Sequence, residues 1–210
     1  MDQIFERQLA RLDYVDPEDL LRDIMPTVVA ILQQPDTMKH LSAREKTTYL
    51  EKHQAGFLGL LTKRNVEGMD VQISVAFKEA ADFDCVLRAI DPVKGVSHKL
   101  VQLKQLPSHE VNPRADLQTL VNRLKVKYGA SRDLIVAIWI NRDINLVFEE
   151  LDFTGLKIEQ LWFFGDAISG ELTLDGGLVI DLISGMRWAS RLKGFDLELR
   201  PVRFNRRASP

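Results

Sequence analysis

Asp82-Phe83-Asp84-Cys85-Val86-Leu87-Arg88-Ala89-Ile90, the turn Asp91-Pro92-Val93-Lys94-Gly95, and Val96-Ser97-His98-Lys99-Leu100-Val101-Gln102-Leu103-Lys104 make up the stretch on which the fold turns. Two runs of β-forming residues flank a Pro/Gly turn, so Phe83 to Ile90 and Lys99 to Leu106 are predicted strands. Alternation with period two then puts Asp82 and Asp84 on one face of the first strand, and Gln102 and Lys104 on one face of the second. If the strands pair with those faces aligned, two carboxylates, an amide oxygen and an ammonium share one patch. Such a patch suits metal-assisted phosphodiester hydrolysis, because Mg²⁺ prefers hard oxygen ligands, keeps several waters and needs few protein carboxylates.

Working outward, Val71, Ile73, Val75 and Phe77 alternate as a preceding strand should. Ser42-Ala43-Arg44-Glu45 is a capping box, and Tyr49, Leu50, Phe57, Leu58, Leu60 and Leu61 carry its helix to about Arg64. Downstream, Asn112-Pro113 is the expected cap of a helix with apolar positions Leu117, Leu120, Val121, Leu124 and Val126. Arg123, Lys125 and Lys127 fall on or near its wet side, with Gly129 as its stop. Leu134 to Ile140 is an apolar run of the kind buried on both faces of a sheet. Residues 42–141 therefore read helix, strand, strand, strand, helix, strand.

The first forty residues read as short helices. Asp16 is a predicted N-cap, with Pro17 at the first helical position and Glu18 and Asp19 complementing the dipole. Leu20, Leu21, Ile24, Val28, Ile31 and Leu32 form its apolar stripe, and Pro26 is expected to break or kink it. Towards the C-terminus, Leu156 to Phe164 reads as one more strand. Asp175-Gly176-Gly177 reads as a turn between Glu171–Leu174 and Leu178–Ile183, while Leu182 to Leu192 fits a helix equally well. The expected organisation is a helical N-terminal lobe at 1–41, an α/β core at 42–165, a C-terminal extension at 166–199 and a basic tail at 200–210.

Composition sets outer limits. The 210 residues are 45% hydrophobic and 28% charged, an ordinary globular balance that excludes collagen, low-complexity disorder and disulfide scaffolds. A single cysteine, Cys85, excludes an intrachain disulfide or a Cys-based zinc cluster. The apolar runs fall short of the roughly 18 residues of a membrane span, and no secretory leader is evident, so a cytoplasmic protein is expected. With 28 basic against 30 acidic side chains, bulk electrostatics cannot drive binding to a polyanion. Charge is nevertheless segregated. Residues 1–24 carry seven acids against three arginines, whereas 99–143 carry eight bases against four acids and 187–210 seven against two.

Asp84, seventeen intervening residues, Gln102-Leu103-Lys104, a basic helix and the strand Leu134-Ile-Val-Ala-Ile-Trp-Ile140 together resemble the PD-(D/E)XK nuclease superfamily over about residues 42–141. The resemblance implies a restriction-endonuclease-like αβββαβ core with a mixed sheet, and endonuclease activity on DNA with Mg²⁺ or Mn²⁺. It further implies that Asp84 is the metal-binding aspartate, with Asp82 as the alternative, that Gln102 occupies the (D/E) position, and that Lys104 is the motif lysine that positions the attacking water. The carbonyl of Leu103 would complete the ligand set. A further acid often comes from the first core helix; Glu51 is the candidate, since Glu45 is explained by the capping box. Arg114, Arg123, Lys125 and Lys127 would neutralise DNA phosphates.

Gln102 departs from the acidic pattern, as in Mrr-type members. A glutamine ligand brings no negative charge, so the alternative is a non-cleaving descendant that binds protein or nucleic acid. A homodimer and a protein partner for the N-terminal lobe are further expectations. His40, His53, His98 and His109 lack metal-ligand spacing. No Walker A, G-x-G-x-x-G or G-x-S-x-G sequence points to nucleotide or serine-hydrolase chemistry. Trp139, Trp162 and Trp188 read as packing residues.

Overall fold

Ser42 opens the longest helix as its sequence dictates. Its Oγ accepts from the Glu45 N–H at 3.2 Å, and the Glu45 carboxylate accepts from the Ser42 N–H at 2.8 Å. The computed structural model describes residues 3–33, 36, 38–78, 83–128, 131–142, 150–166, 176–181 and 187–191. The chain groups into two units, Met1–Leu103 and Lys104–Pro210.

The first unit runs α1 (Gln3–Leu9), α2 (Pro17–Gln33), α3 (Ala43–Asn65), β1 (Gln72–Phe77), β2 (Cys85–Asp91) and β3 (Gly95–Leu106), the unit ending within β3 after Leu103. Asp16 accepts from the Glu18 N–H at 2.9 Å, and Lys63 near the end of α3 reaches its carboxylate at 2.6 Å, tying the two helices together. Pro26 does not break α2, one of the two outcomes expected of it. It sits on the exposed side, as does Arg22, whose carbonyl loses its partner there and can turn to water. Leu21, Ile24 and Val28 form the buried stripe, while Leu32 is exposed.

The middle of α3, His53 to Leu61, is buried all round, so neighbours must approach it closely. Gly59 makes that approach possible. A Cβ there would lie 2.6 Å from a Val75 methyl of β1 and 2.9 Å from the Pro17 ring of α2. Both neighbours are short and rigid, so neither can swing aside. Gly59→Val is expected to lower stability by about 2 to 3 kcal/mol despite valine's better helix propensity, read as a fall in the urea midpoint.

His53 supplies a second test. It is 4% exposed, and burial pushes its imidazole pKa down to about 4 from 6.5. The unfolded chain therefore takes up a proton that the folded chain refuses, so stability is full above about pH 6.5 and falls as pH drops towards 4. The loss is of the order of 3 kcal/mol. Urea midpoints at pH 7, 5.5 and 4.5 should fall more steeply for the wild type than for His53→Gln, which has no proton to gain.

The strands of this unit form an antiparallel meander. β1 pairs β2 with Val75 opposite Leu87, and β2 pairs β3 with Arg88 opposite His98. The turn between β2 and β3 is held by the Asp91 carboxylate, which accepts from Val93 N–H at 2.8 Å and Lys94 N–H at 3.0 Å. Gly95 closes it at φ 84°, a conformation that side chains disfavour. Val15 forms an isolated bridge to Val75, with both N–H···O bonds at 2.9 Å, and so covers part of β1's outer edge.

The second unit contains the last residues of β3, then α4 (Leu117–Lys127), β4 (Ser131–Ile140), β5 (Ile158–Asp166), β6 (Gly176–Asp181) and β7 (Arg187–Arg191). The N-cap of α4 is Asp116, which accepts from Thr119 N–H at 2.8 Å, not Asn112 as expected. Asn112 instead accepts from Arg114 N–H at 3.2 Å, closing a turn within the preceding loop. Leu117, Val121 and Leu124 are buried, but Val126 is 87% exposed and takes no part in the apolar stripe.

Leu134 to Ile140 are all buried, as a run of β-branched and large apolar residues should be. β4 pairs β5 in parallel, with Ala137 opposite Trp162, while β5–β6 and β6–β7 are antiparallel. The predicted partner of β6 at Glu171–Leu174 lies outside the described residues, as do the Gly129 stop and the tail at 200–210. Of Leu182 to Leu192, which also fits a helix, Arg187–Arg191 form β7 and the remaining residues lie outside the described ones. The chain is thus α/β with both parallel and antiparallel pairings, and residues 42–141 follow the predicted element order. Among the described residues, no helix is long and apolar enough to cross a membrane.

Candidate functional site

The β2–β3 register ends at Cys85 opposite Val101, which leaves Asp84 next to the Val101–Leu103 stretch of β3. Asp84 stands just ahead of β2, and its own N–H donates to the Val101 carbonyl at 2.9 Å. Its side chain then turns to β3. One carboxylate oxygen, Oδ2, accepts from the Leu103 N–H at 2.7 Å and from the Gln102 side-chain amide. Gln102 is 5% exposed, and a buried amide without a partner would cost about 1 to 3 kcal/mol. Donating to an ionised acceptor turns that liability into a stabilising contact. Lys104, the first residue of the second unit, lies two residues beyond Gln102 in β3 and is half-buried.

The predicted residues divide accordingly. Asp84, Gln102 and the backbone of Leu103 meet, and the Leu103 group that reaches the carboxylate is its N–H. Asp82 lies outside the described residues. Glu51 is exposed on α3, and Glu45 is held by Ser42. No three His, Cys, Asp or Glu side chains cluster as a metal site among the described residues. A divalent ion would therefore rest on Asp84 with amide, backbone and water oxygens. Those are hard donors of the kind Mg²⁺ takes, so the residues present fit it.

The predicted basic residues differ in their surroundings. Arg114 lies exposed in the loop ahead of α4. Lys125 donates to the Asp152 carboxylate at 2.7 Å, and the Gln118 amide and Asp152 backbone exchange hydrogen bonds of 2.8 and 3.1 Å. The Lys125 hydrogen bond, with help from Thr154, holds the Asp152 carboxyl down at about 2. The Lys125 ammonium is thus already engaged by a carboxylate. Arg123 and Lys127 remain on the exposed side of α4. With Thr119, Asn122 and Val126 they line an open depression of about 410 Å³.

Two polar clusters escaped sequence reasoning. On the sheet face that carries Gln102, the Arg88 guanidinium stacks 3.9 Å from the Tyr14 ring centroid and donates to Ser74 at 3.0 Å, while His98 Nδ1 lies 3.1 Å from a Glu6 carboxylate oxygen. Burial pushes the Tyr14 phenol up to about 12, with Arg88 opposing and Glu6 assisting. In the second unit, Arg142 is 3% exposed just past β4 and donates to the carbonyls of Pro107, Asn112 and Ala115. Partners so distant in sequence leave no local signal. No family model, curated protein or solved structure matches the chain.

Proposed function

We propose that this chain is a divalent-metal-dependent nuclease of the PD-(D/E)XK kind, hydrolysing phosphodiester bonds in DNA. The observation that carries this reading is the meeting of Asp84 with Gln102 across the β2–β3 pair, with Lys104 two residues further along β3. The order α3, β1, β2, β3, α4, β4 agrees with the core of that superfamily. Asp84 and Gln102, with the Leu103 carbonyl and Asp82, would hold Mg²⁺ or Mn²⁺, which when bound supplies positive charge against the phosphoryl oxygens. Lys104 orients the attacking water and offsets negative charge on the phosphorane. Water oxygen adds to phosphorus as the bond to the leaving alkoxide breaks, and the leaving oxygen takes up a proton. The test is incubation with Mg²⁺ or Mn²⁺ and single-stranded, duplex, nicked and branched DNA. Cleavage quenched by EDTA is expected, and four intact substrates would remove the enzymatic reading.

In this scheme Arg114, Arg123 and Lys127 would bind phosphates, and the ion pair of Lys125 with Asp152 weakens Lys125 in that role. Replacing both Arg123 and Lys127 by Gln should weaken DNA binding equally for all sequences. The slope of log K against log salt should flatten by about 2, roughly 0.9 for each phosphate that is no longer neutralised.

A second reading is favoured by one feature, the Gln102 amide nitrogen turned to Asp84, which compensates the carboxylate without an ion. On that reading the fold persists as a non-catalytic binding module. Calorimetry separates the two: heat on adding Mn²⁺ that disappears in Asp84→Ala supports the nuclease, and no heat supports the module.

A further inference from the structure

The Asp84 side chain reaches across to β3, where its carboxylate meets the Gln102 side chain and the Leu103 N–H. A second carboxylate there would set two anions against each other in a part of the sheet where residue 102 is 5% exposed. Such a pair needs a proton or a cation between its members. In this chain the partner is an amide, and its Nε2 donates to the oxygen that also takes the Leu103 N–H. The opposite amide orientation would set the Gln102 carbonyl oxygen against Asp84, oxygen to oxygen. That arrangement needs a cation or a proton between the two oxygens.

We infer that Gln102 is a positioning residue that stands in for the cation: its amide N–H holds Asp84 in the metal-free protein, and must turn to present Oε1 before a divalent ion can be shared. The inference rests on the reading of Asp84 as the ion-binding carboxylate and adds to it what residue 102 does. Gln102 makes folding independent of metal and makes ion binding weaker, since an arriving ion displaces a hydrogen bond to a charged acceptor and gains a neutral ligand.

Thermal melts and Mn²⁺ titrations of the full chain test this without any cleavage assay. Gln102→Glu should lower the melting temperature in EDTA by about 5 °C, and saturating Mn²⁺ should restore it. Its Mn²⁺ dissociation constant should be at least about tenfold tighter than the wild type's, because affinity follows ligand charge. The double variant Asp84→Asn/Gln102→Glu exchanges the amide and the carboxylate across the pair. It should recover the wild-type melting temperature in EDTA while losing the tightened Mn²⁺ affinity.

An unchanged melting temperature for Gln102→Glu in EDTA, or Mn²⁺ affinity no tighter than the wild type's, overturns the inference. If Gln102→Glu does not fold in EDTA, the double variant decides: rescue supports the inference and failure to rescue overturns it. A wild type that cuts no DNA, combined with the expected behaviour of these variants, sinks the nuclease reading and leaves the role of Gln102 standing.

Discussion

Asp84→Asn is expected to reduce Mn²⁺-dependent DNA cleavage by about 10³-fold, roughly 4 kcal/mol of transition-state stabilisation, while leaving the fold intact. Asparagine is the informative replacement because of what surrounds the side chain. Leu103 N–H and the Gln102 amide both donate to Asp84 Oδ2, and alanine would strand those two donors. Asn keeps an acceptor for them and removes only the charge. The cost in stability should stay near 1 kcal/mol, roughly the difference between hydrogen bonds to a charged and a neutral acceptor. A single-turnover assay paired with a urea melt separates the two effects. If Asn cleaves as fast as Asp, the carboxylate has no part in the chemistry and the nuclease assignment goes with it. On the proposed role of its ammonium, orienting water and offsetting phosphorane charge, Lys104→Ala should give a comparable loss in rate with unchanged Mn²⁺ affinity.

Why the Asp84–Gln102 meeting could be anticipated is clear from the hairpin. The turn Asp91-Pro92-Val93-Lys94-Gly95 ends with Asp91 opposite Gly95, and from there the pairing counts back one for one to Cys85 opposite Val101. A short turn with a required glycine fixes register, and register decides which side chains face each other. The capping box at Ser42 was legible for the same reason, since both partners lie within one turn of helix. Which end of the Gln102 amide faces Asp84 was not. Alternation places a side chain on a face but does not orient its terminal dipole, which follows the charge it meets.

Pro26, Asn112 and Val126 misled for a different reason: each obeys a local rule that solvent or a nearer partner overrides. Pro26 removes one helix hydrogen bond and crowds the Arg22 carbonyl, but both residues are exposed, so water can take that carbonyl and α2 continues. Asn112 is as good a cap as Asp116, but its side chain is already used two residues on, at Arg114. Val126 fits the helical apolar period only loosely, and α4 already buries Leu117, Val121 and Leu124 without it. The basic side of α4 was legible as composition, yet the commitment of Lys125 to Asp152 was not, because its partner lies 27 residues away.

Arg142→Met is expected to cost about 3 to 5 kcal/mol, chiefly by releasing the segment from Pro107 to Ala115. That segment has little apolar surface of its own: Val111 is 77% exposed, and His109, Glu110, Asn112 and Arg114 all face water. Beside its own turn hydrogen bonds, one planar guanidinium ties it down. Nε donates to Pro107, Nη1 to Ala115 at 2.8 Å, and Nη2 to Asn112 at 2.7 Å, with His109 Nδ1 a further 3.3 Å contact. A forked donor can bind three carbonyls at once because its N–H groups diverge in a fixed plane, which the ammonium of lysine cannot reproduce. Arg142→Lys should therefore recover no more than about half of the loss. Met nearly matches the volume, so a cavity contributes little, and the deficit measures carbonyls left without donors. Amide exchange should rise first across residues 108–115, ahead of β4, whose Leu134 to Ile140 stay packed. If Arg142→Met melts like the wild type and the loop exchanges no faster, the three carbonyl contacts carry no net stability and the loop is held by something else.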